Sequence, residues 1–112
     1  MSVDLGPLKD LRNGQARKFA LPRKRGELPQ EGFVVRVRGK LYAYRNQCRH
    51  IPLPLDWGDE EFLTPDKKFL GCKNHGALYD PRTGECVAGP CAGESLEKLV
   101  LEQRGARVYC IL

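Results

Sequence analysis

Two short runs in the first half of the chain mix apolar and polar positions and are rich in β-branched and aromatic residues. They cover residues 33–38 and 41–45, with Gly39-Lys40 between them. Such runs on both sides of a two-residue linker that contains glycine are typical of a β-hairpin, and glycine in the first turn position favours a type II′ turn. The pattern therefore predicts an antiparallel hairpin.

Two more hairpins are predicted further along the chain, because apolar runs again flank turn-forming residues. They join 77–80 to 85–88 across 81–84, and 96–103 to 106–112 across Arg104-Gly105. Proline, threonine and glycine in the 81–84 segment favour a tight turn. No segment of ten or more residues keeps a helical period. The chain is therefore predicted to be mainly β.

The length of the chain, 112 residues, suits one domain with a modest core. We therefore predict a single domain over residues 1–112, with no room for a large catalytic module. No apolar stretch approaches the roughly 20 residues that a membrane-spanning helix needs, and the first residues do not resemble a secretory signal. Five cysteines, an odd number, fit a reducing compartment better than a disulfide scaffold. We expect a cytoplasmic protein that does not contact a membrane.

The charge of the chain is unevenly distributed. The first fifty residues hold twelve Lys and Arg against four Asp and Glu, whereas the rest of the chain holds seven against ten. Arg36, Arg38 and Lys40 alternate with apolar residues, as the solvent-facing side chains of a strand do. We therefore interpret most of the positive charge as solvated surface and predict no nucleic-acid binding. Lys24, between two arginines in a loop-like segment, is a candidate contact for an acidic partner.

Both histidines of the chain lie in short Cys/His pairs. His50 comes two positions after Cys48, and His75 comes three positions after Cys72. Cysteine thiolate and neutral imidazole are both ligands for transition metals. Each pair falls next to a predicted hairpin, where a rigid sheet can hold a short functional loop. The pattern predicts one metal site with mixed thiolate and imidazole ligands.

The Cys-x-His and Cys-x-x-His pairs resemble those of the Rieske family, in which two cysteines hold one iron of a [2Fe–2S] cluster and two histidines hold the other. The resemblance covers most of the chain, through segments that occur in the family's order: 8–11 with Gly14, 41–46, 80–84 and Gly89-Pro90. It implies a Rieske-like fold of stacked antiparallel sheets with two cluster-binding loops. It also implies one cluster per chain, with Cys48 and Cys72 on one iron and His50 and His75 on the other.

The chain departs from the high-potential Rieske proteins in two respects. Those proteins join their ligand loops by a disulfide, but the matching positions here are Leu53 and Asn74. They also donate hydrogen bonds to cluster sulfurs from a serine and a tyrosine; here Ala77 replaces the serine, while Tyr79 keeps the tyrosine position. Such hydrogen bonds stabilise the more negative, reduced cluster. The resemblance therefore implies a potential in the lower half of the Rieske range, about −150 to +300 mV.

A chain with two histidines in one cluster site has none left for a mononuclear iron site of the two-histidine, one-carboxylate kind. We therefore expect an electron-transfer component and not an enzyme. The resemblance implies a ferredoxin that takes one electron from a reductase and passes it to an oxygenase. The alternatives are a small Rieske subunit of a larger reductase of the nitrite reductase type, and a structural zinc-binding module. Zinc is disfavoured because zinc fingers commonly pair Cys with Cys and His with His.

The three cysteines outside the ligand pairs have different expected roles. Cys110 alternates within the predicted last strand and is expected to be a buried apolar side chain. Cys86 and Cys91 flank the segment that resembles the family's cluster-covering loop. They are expected to be unpaired thiols, with a reversible disulfide as the alternative.

The connector between the two ligand pairs, residues 51–71, is acidic in its middle and carries two aromatic residues there. We expect this part to be a surface loop with Trp57 and Phe62 packed against the sheet. The alternative is an element that docks a partner protein beside the histidines.

Overall fold

The computed structural model describes residues 1–23, 25–49, 53–56, 58–73 and 76–112. The residues outside the described ranges are Lys24, His50, Ile51, Pro52, Trp57, Asn74 and His75. Apart from one turn of 3₁₀ helix at Leu8–Asp10, the regular structure of the described ranges consists of short strands. They are β1 (Ser2–Gly6), β2 (Ala16–Ala20), β3 (Glu31–Val37), β4 (Lys40–Arg45), β5 (Leu70–Gly71), β6 (Leu78–Tyr79), β7 (Cys86–Ala88), β8 (Lys98–Arg104) and β9 (Arg107–Ile111). The prediction of a mainly β chain is confirmed.

The strands form two antiparallel sheets. The larger sheet has the strand order β1-β9-β8-β4-β3-β2, and the smaller sheet has the order β5-β6-β7. Pairing of β1 with β9 joins the first and last strands of the chain, and the N–H of Leu112 also donates to the carbonyl of Met1 over 2.9 Å. Within the described ranges, no helix has the length and apolar character needed to cross a bilayer.

Successive side chains of β3 enter two different apolar cores. Phe33 and Val35 lie in the first core, and Val34 lies in the second, because neighbouring side chains of a strand point to opposite faces of the sheet. The first core also contains Phe62 of the connector and Tyr79 of the smaller sheet. Burial of one such large side chain contributes about 1.5–3 kcal/mol. The first core therefore holds the smaller sheet and the connector against the larger sheet.

The first predicted hairpin is present as β3 and β4, but its turn lies one residue earlier than predicted. Val37 pairs with Lys40, so the two-residue loop is Arg38-Gly39. Both loop residues have positive φ, 51° for Arg38 and 82° for Gly39, which is the geometry of a type I′ turn. The predicted type II′ turn at Gly39-Lys40 is therefore wrong. Strand β3 ends one residue earlier and β4 begins one residue earlier than the sequence pattern indicated, so the glycine takes the second turn position.

The other two predicted hairpins are also present. The turn between β6 and β7 lies within 81–84 as predicted, whereas Arg104 pairs with Arg107, which places the last turn at Gly105-Ala106, one residue later than predicted. Strands β1, β2 and β5 were not predicted. Neither β1 nor β2 contains a fully buried residue, since both lie at edges of the larger sheet. Their sequences therefore carry little of the apolar periodicity on which strand prediction depends.

Arg36 is not part of a simple solvated face. Its guanidinium donates to three backbone carbonyl groups, those of Leu8, Leu11 and Gly39. It therefore holds the 3₁₀ turn against the first hairpin. Arg38 and Lys40 are exposed, as predicted. Lys24, the predicted contact for an acidic partner, lies outside the described residues.

Candidate metal centre

Cys48 lies in the loop after β4, and hydrogen bonds connect the two ends of this loop. The N–H of Cys48 donates to the carbonyl of Leu53 over 2.8 Å. Asn46 uses its side-chain oxygen to accept the N–H of Leu55, also over 2.8 Å. The Cys48 side chain is only 2% exposed. The loop therefore places this sulfur in the protein interior.

Cys72 directly follows β5 and is equally buried. Its N–H donates to the carbonyl of Ala77 over 2.9 Å, and its own carbonyl accepts the N–H of Gly76 over 2.8 Å. Gly76 has φ +72°, a left-handed conformation that residues with a side chain rarely adopt. The described residues at the two ends of the second Cys/His segment are therefore hydrogen-bonded to each other.

The two cysteine-bearing loops are attached to each other as well. Cys48 and Cys72 belong to the same apolar core. The N–H of Lys73 donates to the carbonyl of Leu55 over 2.9 Å, and the Lys73 ammonium group forms an ion pair with Asp59 of the connector. The structure thus places both cysteines predicted from the sequence in one buried region, which the connector bridges.

Tyr79 brings its hydroxyl group to the first of these cysteines. The hydroxyl oxygen lies 3.4 Å from Cys48 Sγ and 3.1 Å from Cys91 Sγ, and it accepts the N–H of Arg49 over 3.1 Å. Burial, followed by its contacts with the two sulfurs, raises the pKa of Tyr79 above its ordinary value. The hydroxyl group therefore keeps its proton at neutral pH. The tyrosine that the resemblance implied is in position to donate to Cys48.

A buried carboxylate in the connector anchors the first loop. Asp56 accepts the side-chain N–H of Asn46 over 3.0 Å and the N–H of Glu60 over 3.1 Å, and its carboxylate lies 3.2 Å from the Lys18 ammonium group. Burial raises the pKa of Asp56, but these hydrogen bonds and the lysine outweigh burial and hold the pKa below its ordinary value. Asp56 is therefore charged and fully partnered. Sequence reasoning missed this role, because Asp56 reads as one member of an acidic surface run.

The prediction for the aromatic residues of the connector is confirmed for Phe62. Its ring stacks on that of Phe33, with centroids 4.0 Å apart and planes 10° apart, and its side chain is buried. Stacked aromatic pairs of this kind contribute about 0.5–1.5 kcal/mol beyond area burial. Trp57 lies outside the described residues. The connector is thus attached to the sheet by Phe62 and Asp56 and is not simply a surface loop.

The segment after β7 packs tightly on the second cysteine-bearing loop. Gly89 has φ +100°, and a Cβ atom at this position would lie 2.8 Å from Ala77 Cα, closer than atoms pack. Only glycine therefore fits here. The same segment carries Cys91, whose thiol contacts Tyr79. The placement of Gly89-Pro90 over the second loop agrees with its resemblance to the loop that covers the cluster in the Rieske family.

The described part of the site fits the thiolate half of a [2Fe–2S] centre. Two cysteines on hydrogen-bonded loops share one buried apolar core, and a neutral hydroxyl group is directed at one of the sulfurs. Donors of this kind stabilise thiolates that bind iron. The two predicted imidazole ligands, His50 and His75, lie outside the described residues. Their participation therefore stays a prediction.

Comparison with protein families and curated proteins points to one family. The model of the Rieske [2Fe–2S] domain matches residues 2–106. Sulredoxin from Sulfurisphaera tokodaii is 35% identical over 79 residues, which cover 70% of this chain and 65% of sulredoxin. The chain therefore spans slightly less than two thirds of the length of this curated relative.

Solved structures with a similar fold include a ferredoxin of an oxygenase system. The ferredoxin of carbazole 1,9a-dioxygenase from Nocardioides aromaticivorans IC177 has a TM-score of 0.71 and 25% sequence identity, and the match covers 98% of this chain and 96% of the ferredoxin. A chain in a complex of reduced oxygenase and oxidised ferredoxin of carbazole 1,9a-dioxygenase has a TM-score of 0.73 and 24% identity, with 97% and 91% coverage. The fold implied by the sequence resemblance is confirmed.

Proposed function

The chain belongs to the Rieske [2Fe–2S] domain family, and on this basis we propose that it is a one-electron carrier that takes an electron from a reductase and delivers it to an oxygenase-type acceptor. The observation that carries the proposal is the pair of buried cysteines, Cys48 and Cys72, held on two mutually bonded loops in one core. Residues 1–112 act as a single Rieske domain. The chain is an electron-transfer component and not itself a catalyst.

The cofactor is one [2Fe–2S] cluster per chain. Cys48 and Cys72 bind it as thiolates, and His50 and His75 bind it as imidazoles. When bound, the cluster takes up and releases one electron at a time. The mixed ligand set is supported by the two buried cysteines and by the position of each histidine within three residues of a cysteine.

Residues around the two cysteines set the environment of the cluster. The first core, which contains Phe33, Phe62 and Tyr79, excludes water from the thiolates. Tyr79 holds a proton between the sulfurs of Cys48 and Cys91. A hydrogen-bond donor at Cys48 stabilises the reduced cluster, which carries more negative charge, and therefore raises the midpoint potential. The buried alanine at position 77 has no hydroxyl group and makes no such contribution.

The partners of the chain are redox proteins, and its location is the cytoplasm. Support for an oxygenase acceptor comes from the similar chains in carbazole 1,9a-dioxygenase, where a ferredoxin forms a complex with the oxygenase. A reducing compartment is supported by the odd number of cysteines, five, which does not suit a disulfide scaffold. Neither a nucleic acid nor a membrane is part of the proposed function.

Electron paramagnetic resonance of the purified protein after reduction with dithionite tests the proposed cofactor. A rhombic spectrum with the low average g of mixed His/Cys clusters is expected, with two irons and two sulfides per chain on the same sample. Stoichiometric zinc, with no iron and no electron paramagnetic resonance signal, would contradict the proposal. The four proposed ligands would then form a structural zinc site. Reduction of the holoprotein by a purified reductase and its reoxidation by a purified oxygenase would then test the partners.

Tyr79→Phe is expected to lower the midpoint potential. Phenylalanine keeps the ring in the core but removes the proton donor beside Cys48. Loss of one hydrogen bond that favours the reduced centre corresponds to a decrease of roughly 20–60 mV for a one-electron couple. The potential is measured by a redox titration followed by electron paramagnetic resonance.

Tyr44→Phe is a matched control for this change. Tyr44 lies in the same core, and its hydroxyl group donates to the carbonyl of Pro81 over 2.8 Å without a described contact to sulfur. This variant should lose some stability and keep the wild-type potential. Equal potentials for the wild type and Tyr79→Phe would contradict the assigned role of Tyr79.

A further inference from the structure

Two thiols that are not proposed ligands face each other beside the site. Cys86 Sγ and Cys91 Sγ are 3.0 Å apart and unbonded. Their side chains are 2% and 4% exposed. The third such cysteine, Cys110, lies in the other core and is fully buried there. Cys86 and Cys91 therefore form a close pair of sulfurs, whereas Cys110 is remote from them.

Backbone hydrogen bonds hold this pair together. The N–H of Cys86 donates to the carbonyl of Glu94 over 2.7 Å, and the carbonyl of Cys86 accepts the N–H of Gly93 over 3.3 Å. The N–H of Glu94 donates to the carbonyl of Cys91 over 3.0 Å. The turn that carries Cys91 is thus folded back on Cys86. A disulfide, with sulfurs about 2.05 Å apart, requires these atoms to approach by only about 1 Å.

We propose that Cys86 and Cys91 form a two-electron dithiol site, which a low-molecular-weight disulfide such as oxidised glutathione converts to an intrachain disulfide, and that this state changes the hydrogen bond of Tyr79 to Cys48. The second part rests on the proposed function, because it takes Cys48 as a cluster ligand. The first part is independent of the cluster.

The reaction balances with oxidised glutathione as the oxidant. One protein thiolate attacks a glutathione sulfur, so that a mixed disulfide forms and one glutathione leaves. The second protein thiol attacks the protein sulfur of the mixed disulfide, the Cys86–Cys91 bond forms and the second glutathione leaves. The two thiol protons of the protein end on the two released glutathione thiols. Two electrons pass from the cysteine pair to the glutathione disulfide.

The environment of Cys86 makes this oxidation slow at neutral pH. Burial, followed by the contact with Cys91, raises the pKa of Cys86 to about 11. Only the thiolate attacks a disulfide. The rate of disulfide formation should therefore increase as the pH rises from 7 to 9. We expect the pair to become oxidised under prolonged oxidising conditions and not to cycle rapidly.

The hydrogen bonds around Cys86 and Cys91 indicate how oxidation of this pair should change the potential of the cluster. The Cys91 thiol donates to Cys86 Sγ, and the Cys86 thiol donates to the carbonyl of Ala88 over 3.3 Å. Both thiol protons are thus donated to other acceptors. The Tyr79 hydroxyl group can therefore donate its proton to either Cys91 Sγ or Cys48 Sγ. A disulfide sulfur is a weak acceptor. Oxidation of the pair therefore releases the Tyr79 proton to Cys48, which raises the potential of the cluster.

Mass mapping of the holoprotein tests the dithiol site directly. The wild type is incubated anaerobically with oxidised glutathione, the remaining thiols are alkylated without reduction, and the chain is cleaved after glutamate. Residues 86–94 are released as one peptide that contains both cysteines. The expected result is a peptide lighter by two hydrogen atoms and free of alkyl groups, with Cys110 still alkylated. Two alkylated thiols, or only glutathione adducts, after prolonged incubation would overturn the proposal.

Film voltammetry of the same holoprotein tests the connection to the site. The wild-type midpoint potential should shift upward after oxidation and return after treatment with a dithiol reductant. Tyr79→Phe should form the disulfide but show no shift in potential. Cys91→Ala should show neither the disulfide nor the shift. Cys110→Ala should show both, as the wild type does. A disulfide in the wild type without an upward shift would overturn the role of Tyr79. Iron content and the rhombic spectrum, measured on each sample, distinguish this outcome from failure of the proposed function.

Discussion

Cys48→Ala is expected to yield a folded chain without a [2Fe–2S] cluster. The variant removes a proposed thiolate ligand at a position that is 2% exposed. The Tyr79 hydroxyl group contacts this sulfur, and a neutral hydroxyl group does not replace a thiolate on iron. Iron, sulfide and the rhombic spectrum should therefore fall to background. The measurement is metal and sulfide analysis of the purified variant, combined with electron paramagnetic resonance.

Cys110→Ala is the matched control for this change, because it also removes a buried sulfur. Cys110 lies in β9 and in the second core, on the other face of the larger sheet. Its loss should reduce the free energy of unfolding by about 1–2 kcal/mol and leave the cluster in place. If Cys48→Ala kept the iron content of the wild type, the proposed ligand set would be wrong.

Asp56→Ala is expected to destabilise the fold strongly, although Asp56 is not a proposed ligand. It removes the buried acceptor of the Asn46 amide and leaves the Lys18 ammonium group with only the more distant Glu31 carboxylate, 3.9 Å away. Removal of one partner of a buried ion pair typically costs 3–5 kcal/mol, and the partial exposure of Lys18 places the expected loss near the lower limit, about 3 kcal/mol. This corresponds to a decrease in Tm of roughly 10–15 °C. Because Asn46 and the connector hold the first loop, cluster loss on heating should also be faster.

Asp59→Ala provides the comparison for an exposed carboxylate in the same connector. Asp59 forms an ion pair with Lys73, and both side chains reach solvent. Exposed pairs of this kind contribute little, so the Tm should hardly change. Thermal unfolding followed by circular dichroism, together with the decay of the visible absorbance of the cluster, measures both effects. Equal Tm values for the two variants would mean that the Asp56 contacts do not stabilise the fold.

The same carboxylate predicts how the wild type responds to acid. The pKa of Asp56 in the folded protein lies below its ordinary value of 3.8. Its contribution to stability is therefore complete above about pH 4 and is lost as the pH falls through the folded-state pKa. The wild type should lose stability more steeply than Asp56→Ala below about pH 4. Parallel acid limbs in the two unfolding curves would contradict this assignment.

Much of the fold could be predicted because its signals are local. Each of the three predicted hairpins combines apolar strands with turn residues a few positions apart, and all three are present. The exact turn positions were harder to predict from the sequence. Arg38 adopts positive φ in the first turn, a conformation that its residue type does not favour. Strand pairing, and not the local preference of the turn residues, sets the position of that loop.

The sequence by itself determined the chemistry of this protein. Cys48 and Cys72, each with a histidine within three residues, indicate the family and mark the proposed ligand segments, because ligand type and short spacing can be recognised in neighbouring residues. Only the tertiary structure decided the surroundings of these segments. Tyr79 is 31 positions from Cys48 and 12 from Cys91, yet its hydroxyl contacts both sulfurs. Contacts of this kind depend on how the two sheets pack around one core, and no local pattern in the chain specifies which polar groups meet there.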